Sequence, residues 1–574
     1  MANAALERVL AAFRTPLENR RSRLVERAGT VVAAALLVLA YGPTLAEHVR
    51  NASDPFRFAD DARILIPPLF RLQDPEIFPS DPITDYYFAS LPDALRLLYS
   101  ALSPIVDPTT ASKLLPYVLL ALSLGCLGAL AHRLGGKTAL FGALALSLGS
   151  AHVLGRMVAG LPRAFALPLV LAGVLCLVLG RPLGLAALAV LAAAFYPVAG
   201  VLLGLSLLGL FLLPAGDRGL GARYSVRRRA VVLAVTAAGM ALVVAPSALR
   251  LAAYGPAIDA SSAASFPEAG EFGRFDPADR APFPALPMAA VAPLAVTLVG
   301  DGDALVPFAN LRARGTLVAC TLFLIAAVGF GFFAARSAPA RRFLVFGAAV
   351  VVAHTVALAA TPRLFLPERY VAYGVPVLAL AGVPAAFSFL SGHVRTSLRF
   401  VPLAWTLAVL ALVGSRGTSW SGLTVLVPPA ERPLYAKLAA LPKTAVVAGW
   451  PGSSIDNVPY LSRRTAFITR ETHMPFHRRY TELARERMRA LVAAYFASDP
   501  APLRELHGRY GVTHLLVERR HFDVPPPYFA PFGAETNAAF AAGRARGFEL
   551  PRMLDRAPAS DVGGIAIIEL ARTD

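Results

Sequence analysis

Residues 183–213 read LGLAALAVLAAAFYPVAGVLLGLSLLGLFLL, 31 residues without a charge, broken only at Tyr196-Pro197. At about 1.5 Å per residue the run exceeds a hydrocarbon core of about 30 Å, so it is either one long tilted helix kinked at the proline or two short helices that reverse there. The choice flips the side of the membrane on which everything downstream lies. Charge decides between the two. With two helices counted, residues 1–27 and five connections fall on one side and hold 19 Lys or Arg against 4 acids. These connections include HRLGGK, the stretch from Asp217 to Arg229, RSAPARR and HVRTSLR. The opposite side receives the segment 47–113, with 6 basic and 10 acidic residues, and the loop 250–313, with 4 and 7. That is the positive-inside pattern, and every short loop on the basic side carries Lys or Arg.

The rest of the chain agrees with a membrane solvent. Of its 574 residues 56% are hydrophobic and only 16% charged, and the mean hydropathy is +0.57. Apolar runs predict about eleven transmembrane helices, near 28–46, 113–132, 138–154, 163–180, 183–195, 198–213, 230–249, 315–335, 343–360, 370–390 and 400–415. The expected organisation is a cytoplasmic segment 1–27, a transmembrane domain 28–427 with large external loops 47–112 and 250–313, and an extracytoplasmic domain 428–574. In a bacterial-type cell this is a multi-pass protein of the plasma (inner) membrane. No small-residue cleavage site closes the first apolar run, so helix one is expected to stay as an anchor. The net charge of +18 is evidence about orientation here, and no nucleic-acid partner is expected. Cys126, Cys176 and Cys320 all sit inside apolar runs and offer no disulfide or metal framework.

The tail is a different material. Pro428-Pro429 opens it, and short β-rich runs (TAVVAGW from 444, THLLVE from 513, GIAIIEL from 564) alternate with helical patterns such as 477–497. A small α/β domain is the expected fold. Its SIDNVPYLSRRTAFITRETHMPFHRRY stretch gathers Asp456, Arg470, Glu471, His473 and His477. Pro475 spoils the i, i+4 histidine spacing, so this cluster is read as the contact between tail and membrane domain rather than as a metal site.

Two external constellations point to chemistry. The first loop, NASDPFRFADDARILIPPLFRLQDPEIFPSDPITDYYFASLPDAL, places Asp60 and Asp61 shortly after helix one, with Asp74, Asp81 and Asp85 beyond. Adjacent carboxylates repel, so a partly desolvated pair either raises one pKa or holds a cationic group, and both states suit general-base work. The plainer reading makes the acids caps and turn formers, Asp60 for ARILIPPLF and Asp81 and Asp85 at their own turns. The second constellation is basic: Arg156 and Arg163 in GRMVAGLPR, and Arg363 and Arg369 in TPRLFLPERY. The positive-inside rule disfavours arginine there. A guanidinium fork at the interface suits a phosphate, while snorkelling or pairing with the acids is the alternative. The loop 250–313, rich in Pro, Gly and Ala, is too long for a plain connector and reads either as a mobile lid over an external site or as a disordered segment without function.

Together these features resemble the GT-C superfamily of polyprenyl-phosphate-dependent glycosyltransferases. The resemblance is one of architecture over essentially the whole chain. It places the catalytic carboxylate at Asp60 and Asp61, and sets PERY before YGVPVLALAGVP as the lipid-phosphate element, Arg369 with Tyr370. AFYPVAG looks like a corresponding external turn. Arg363, Arg163, Arg156, Asp81 and Asp85 are the further expected binding residues. The implied fold is an α-helical polytopic membrane domain, GT-C-like, with a small α/β soluble domain. The implied reaction is inverting transfer of a sugar from a polyprenyl-phosphate-linked donor to an acceptor on the extracytoplasmic face, among membrane lipids. Trp450 stands alone in GWPGS, so the WWD motif of oligosaccharyltransferases is missing, and no DxD marks the second external connection. A divalent cation is a possible cofactor. The competing readings are a non-catalytic transporter or lipid-binding protein, and a surface-polysaccharide polymerase or ligase. A transporter should carry ionisable groups at midplane, where His354 is the clearest polar intrusion.

Overall fold

A computed structural model describes residues 2–213, 224–258, 262, 265–271, 337–360, 367–391, 422–556 and 560–570, with only the backbone described for 2–26, 151–152, 270–271, 368, 390–391 and 560. The spans expected at 315–335 and 400–415, and Arg363, lie outside the described residues.

Helix α1 (Ala2–Ser53) ends in a strand β1 (Arg57–Phe58). The first loop then builds short helices α2 (Ala62–Leu65), α3 (Pro82–Ser90) and α4 (Asp93–Leu102). Helix α5 (Pro108–Leu148) starts where Asp107 accepts the Thr109 N–H at 2.8 Å and Pro108 supplies the fixed φ of a first turn. Its 41 residues are two antiparallel arms. Gly135 and Gly136 leave helical geometry, Gly136 at φ +68° and ψ −158°, and a Cβ on Gly128 would lie 3.8 Å from Leu144. Only glycine adopts that backbone readily. The HRLGGK connection is therefore a hairpin turn, as the charge pattern requires.

Helices α6 (Ala166–Val178), α7 (Pro182–Phe195) and α8 (Pro197–Leu212) follow. Tyr196 is extended (φ −152°, ψ 100°), and α7 and α8 pack along one another, so the 31-residue run is two helices and not one kinked helix. Helices α9 (Val226–Ala252), α10 (Ala338–Ala359) and α11 (Glu368–Ser391) complete the described membrane part. By length and composition Arg27–Ser53, Pro108–Leu148, Val226–Ala252, Ala338–Ala359 and Arg369–Phe389 qualify as spans, with three shorter apolar helices between them. In lipid the driving force between helices is close packing. A Cβ on Gly173 of α6 would come within 2.4 Å of Leu203 on α8, which shows how near these helices lie. Val231, Val235 and Leu242 of α9 face outward, where lipid replaces protein contacts.

Strand β2 (Val425–Leu426) pairs antiparallel with β1, Arg57 opposite Leu426. The tail then folds as α12 (Arg432–Ala439), β3 (Val446–Ala448), β4 (Thr465–Ala466), α13 (Arg478–Tyr495), α14 (Ala501–Tyr510), β5 (His514–Glu518), α15 (Phe532–Arg546), α16 (Glu549–Arg556), β6 (Ser560–Val562) and β7 (Ile565–Glu569). Its sheet has the order β4-β3-β5-β7-β6, parallel from β4 to β5 and antiparallel beyond. Trp450, Tyr495, Phe496 and Phe532 fill its core. This is an α/β unit seated on the first loop. Tyr86 stacks on Tyr480 at 3.8 Å, Lys443 pairs with Asp74 at 2.6 Å, and Arg432 pairs with Asp54 at 3.1 Å. The first part of the loop 250–313 also docks on the tail: Ile258 N–H donates to Phe476 O at 3.0 Å, and buried Glu268 holds Arg485 at 2.5 and 2.8 Å.

Candidate active site

The β1–β2 pairing and the Asp60 N–H on Thr424 Oγ1 (3.2 Å) fix the backbone that leads into the acid pair. Asp61, not Asp60, occupies the cap position of α2, and its side chain makes no capping bond. Both carboxylates turn instead to arginines. Asp61 meets Arg163 Nη1 at 2.5 Å, and Asp60 meets Arg63 one turn on. The capping role expected of Asp60 is thus corrected, because the chain enters the helix one residue later.

Arg163 stands in a tight turn. Ala159 (φ 71°) and Gly160 (φ 56°) reverse the chain after Arg156, and the Tyr99 hydroxyl donates to Gly160 O at 3.4 Å. Arg156 in turn lies over the Tyr373 ring at 5.8 Å, and Tyr373 meets Tyr196 edge-on at 5.3 Å. Four segments that the sequence kept apart therefore converge at one end of the helices: the first loop, GRMVAGLPR, the Tyr196-Pro197 turn and the start of α11, which carries Arg369. Tyr370 is packed into the core, 3% exposed.

The other two acids have different tasks. Asp81 is buried, accepts the Thr84 N–H (3.0 Å) and hydroxyl (2.6 Å) as the cap of α3, and lies 3.4 Å from Arg487 of the tail. Asp85 pairs with Arg71 at 2.5 Å. Capping and ion pairing engage both carboxylates.

The tail closes the site from the far side. Arg63 Nη1 lies 3.4 Å from Asn457 Oδ1 and 3.8 Å from Asp456 Oδ2, and its Nη2 lies 3.8 Å from Glu471 Oε1. Asp456 is buried and accepts the N–H groups of Gly452 (3.1 Å) and Arg470 (3.0 Å), yet burial pushes its carboxyl above the ordinary range. Burial first, then the charge of Asp60, raises Glu471 to about 7, with Asp456 and Asp61 adding to the rise and Arg63 opposing it. The tail cluster read from sequence does make the tail contact: Tyr86 Oη lies 2.9 Å from His477 Nδ1, and the Tyr87 hydroxyl donates to Glu471 O at 3.3 Å. His473 faces the tail core instead, 3.2 Å from the Tyr528 hydroxyl, and burial depresses it to about 3. The two histidines thus point to different places. His354 is a satisfied packing residue, 3.0 Å from Pro367 O. Arg63 is the residue that reading for motifs missed; its one signal is the i, i+3 spacing from Asp60 in ADDAR.

Among the described residues no three His, Cys, Asp or Glu side chains are disposed to hold a metal ion.

No family model matches the chain, and no curated protein does. Among solved structures it is similar to the Archaeoglobus fulgidus oligosaccharyltransferase in its apo form, at 12% identity and TM-score 0.47, over 85% of this chain and 70% of that one. The same enzyme in complex with Zn and sulfate gives 13% and 0.47, over 86% and 68%. ArnT from Cupriavidus metallidurans in the apo state gives 12% and 0.45, over 94% of this chain and 98% of that one. Likeness this distant carries no residue role across.

Proposed function

We propose that the chain is a membrane glycosyltransferase of the GT-C type, which moves a sugar from a polyprenyl-phosphate donor to an acceptor on the outer face of the membrane with inversion. The observation that supports this most is the Asp61–Arg163 contact. It joins the acid pair of the first loop to the basic turn whose other arginine, Arg156, reaches the helix of Arg369 through Tyr373. Carboxylate and cationic groups of one site are what such a transfer requires.

In this reading the donor enters from the outer leaflet and lays its phosphate against Arg156 and Arg369, with Arg163 at the junction. Asp60 or Asp61 orients the acceptor hydroxyl and takes its proton. The acceptor oxygen forms a bond to the anomeric carbon as the bond from that carbon to the phosphate oxygen breaks. The leaving group departs as an anion, so fixed positive charge stabilises it and no general acid is needed. One base and one displacement give inversion.

The test is sugar transfer from a polyprenyl-phosphate donor by purified Asp60→Asn and Asp61→Asn. Loss of the base is expected to cut turnover about 10²- to 10⁴-fold in at least one variant. Undiminished turnover in both would sink the assignment and leave the acids as structural partners of the arginines.

A further inference from the structure

Three carboxylates approach one guanidinium at the floor of this site. Asp60 and Glu471 both come to Arg63 Nη2, and Asp456 to Nη1. One of the three belongs to the first loop and two to the tail. Asp60 is the most open, with its side chain 44% exposed against 17% for Glu471 and 3% for Asp456. Asp61 is neutralised by Arg163 next door. A single cation cannot satisfy three ionised neighbours, so the charge on the middle one decides how the others are held.

We propose that Glu471, supplied by the C-terminal domain, is a positioning residue for the transfer: its charge decides how firmly Arg63 holds Asp60, and so whether an Asp60 oxygen is available to the acceptor hydroxyl. This rests on reading the Asp60–Asp61 pair as the base. When Glu471 is neutral, Nη2 belongs to Asp60. When it is ionised, it competes for the same nitrogen and repels Asp60, which is the neighbour free to move toward solvent. The groups that face Glu471 are Asp60, Asp61 and Arg63 from the first loop and Asp456 from the 454–457 turn. Tyr87 holds its backbone carbonyl, while Arg470 and His473 on its own segment point toward Phe529 and Tyr528. Burial and these acids place its titration near neutrality. The tail thereby makes the site responsive to the pH of the outer compartment.

The experiment compares the pH dependence of transfer in wild type, Glu471→Gln, Asp60→Asn and Asp61→Asn. A single ionisation gives a limb rising about tenfold per pH unit below its midpoint, here near 7. Glu471→Gln mimics the protonated acid, so it is expected to lack this limb and to stay throughout at the low rate that wild type approaches well below the midpoint. A second readout needs no activity. The raised native value against an ordinary 4.5 means that Glu471 contributes stability below about 4.5 that is lost as pH rises through about 7. The thermal midpoint of wild type is therefore expected to fall relative to Glu471→Gln across that window. A Glu471→Gln enzyme that keeps the wild-type limb, while Asp60→Asn or Asp61→Asn is inactive, overturns the positioning role and leaves the base reading standing. Full activity of both Asp variants overturns the base reading and this proposal with it.

Discussion

Arg63 ties the loop to the tail, and its removal is expected to be felt in stability before chemistry. Asp456 is 3% exposed and has Arg63 as its ion-pair partner at 3.8 Å, with two backbone N–H groups completing its shell. Taking away the cation leaves a buried carboxylate uncompensated, a change that typically costs about 3 kcal/mol or more. Arg63→Gln should therefore lower the thermal midpoint of the purified protein. Arg63→Lys keeps a charge but not the fork across Asp60, Asp456 and Asn457, and it should recover only part of the loss. If Arg63→Gln melts with wild type, the guanidinium is not what holds the tail to the loop. The acids of this site were legible in sequence because an Asp-Asp pair just after an apolar helix is unusual. Arg63 was not, because an arginine three residues from an aspartate is ordinary on any helix face. Its importance comes from Asp456 and Glu471, which only the folded tail brings to it.

Helix ends carried most of what the sequence revealed about the fold. Gly135-Gly136 and Tyr196-Pro197 both mark reversals that the charge count required, and both are present as such. The β-rich runs from 444, 513 and 564 contain strands β3, β5 and β7. What composition hid is the turn 156–163, where positive φ at Ala159 aims Arg163 at Asp61, because nothing in GRMVAGLPR besides Gly160 announces a left-handed turn. The Gly-Gly turn offers a test of element geometry. A Cβ at Gly136 meets nothing, so Gly136→Ala isolates backbone strain, whereas a Cβ at Gly135 would lie 2.9 Å from Ala385 Cα and push α5 from α11. Each substitution is expected to destabilise by about 1–3 kcal/mol, the first through strain and the second through overpacking. Turnover per folded molecule should stay at the wild-type level, since the turn lies about 40 Å along α5 from the Asp107 end that faces the site. An unchanged melting curve for both would mean that the arms of α5 do not reverse there.

Across the whole molecule, charge and function separate to opposite ends of the helices. Arg229 donates to Phe211 O at 2.9 Å and Arg342 to Val178 O at 3.2 Å, so each cation meets carbonyls that a helix C-terminus leaves open. The same end holds Gly135, whose carbonyl accepts the Ser388 hydroxyl at 2.6 Å, with Arg133 and Lys137 beside it. The arginines that orient the chain in the membrane thus also close its helices. The acid pair, Arg156, Arg163 and the tail occupy the other end. By the positive-inside rule the arginine-rich end is expected to be cytoplasmic and the site to open outward. Impermeant maleimide labelling of intact cells checks this directly, with Cys126, Cys176 and Cys320 first replaced by alanine. Glu505 lies on the outer surface of the tail with its side chain 60% exposed, and Arg133 is exposed at the hairpin turn. Glu505→Cys should label in intact cells, and Arg133→Cys only after permeabilisation. The reverse pattern would put the site on the cytoplasmic face, where the donor would have to be met before it crosses, and the outward reading of every loop would fall together.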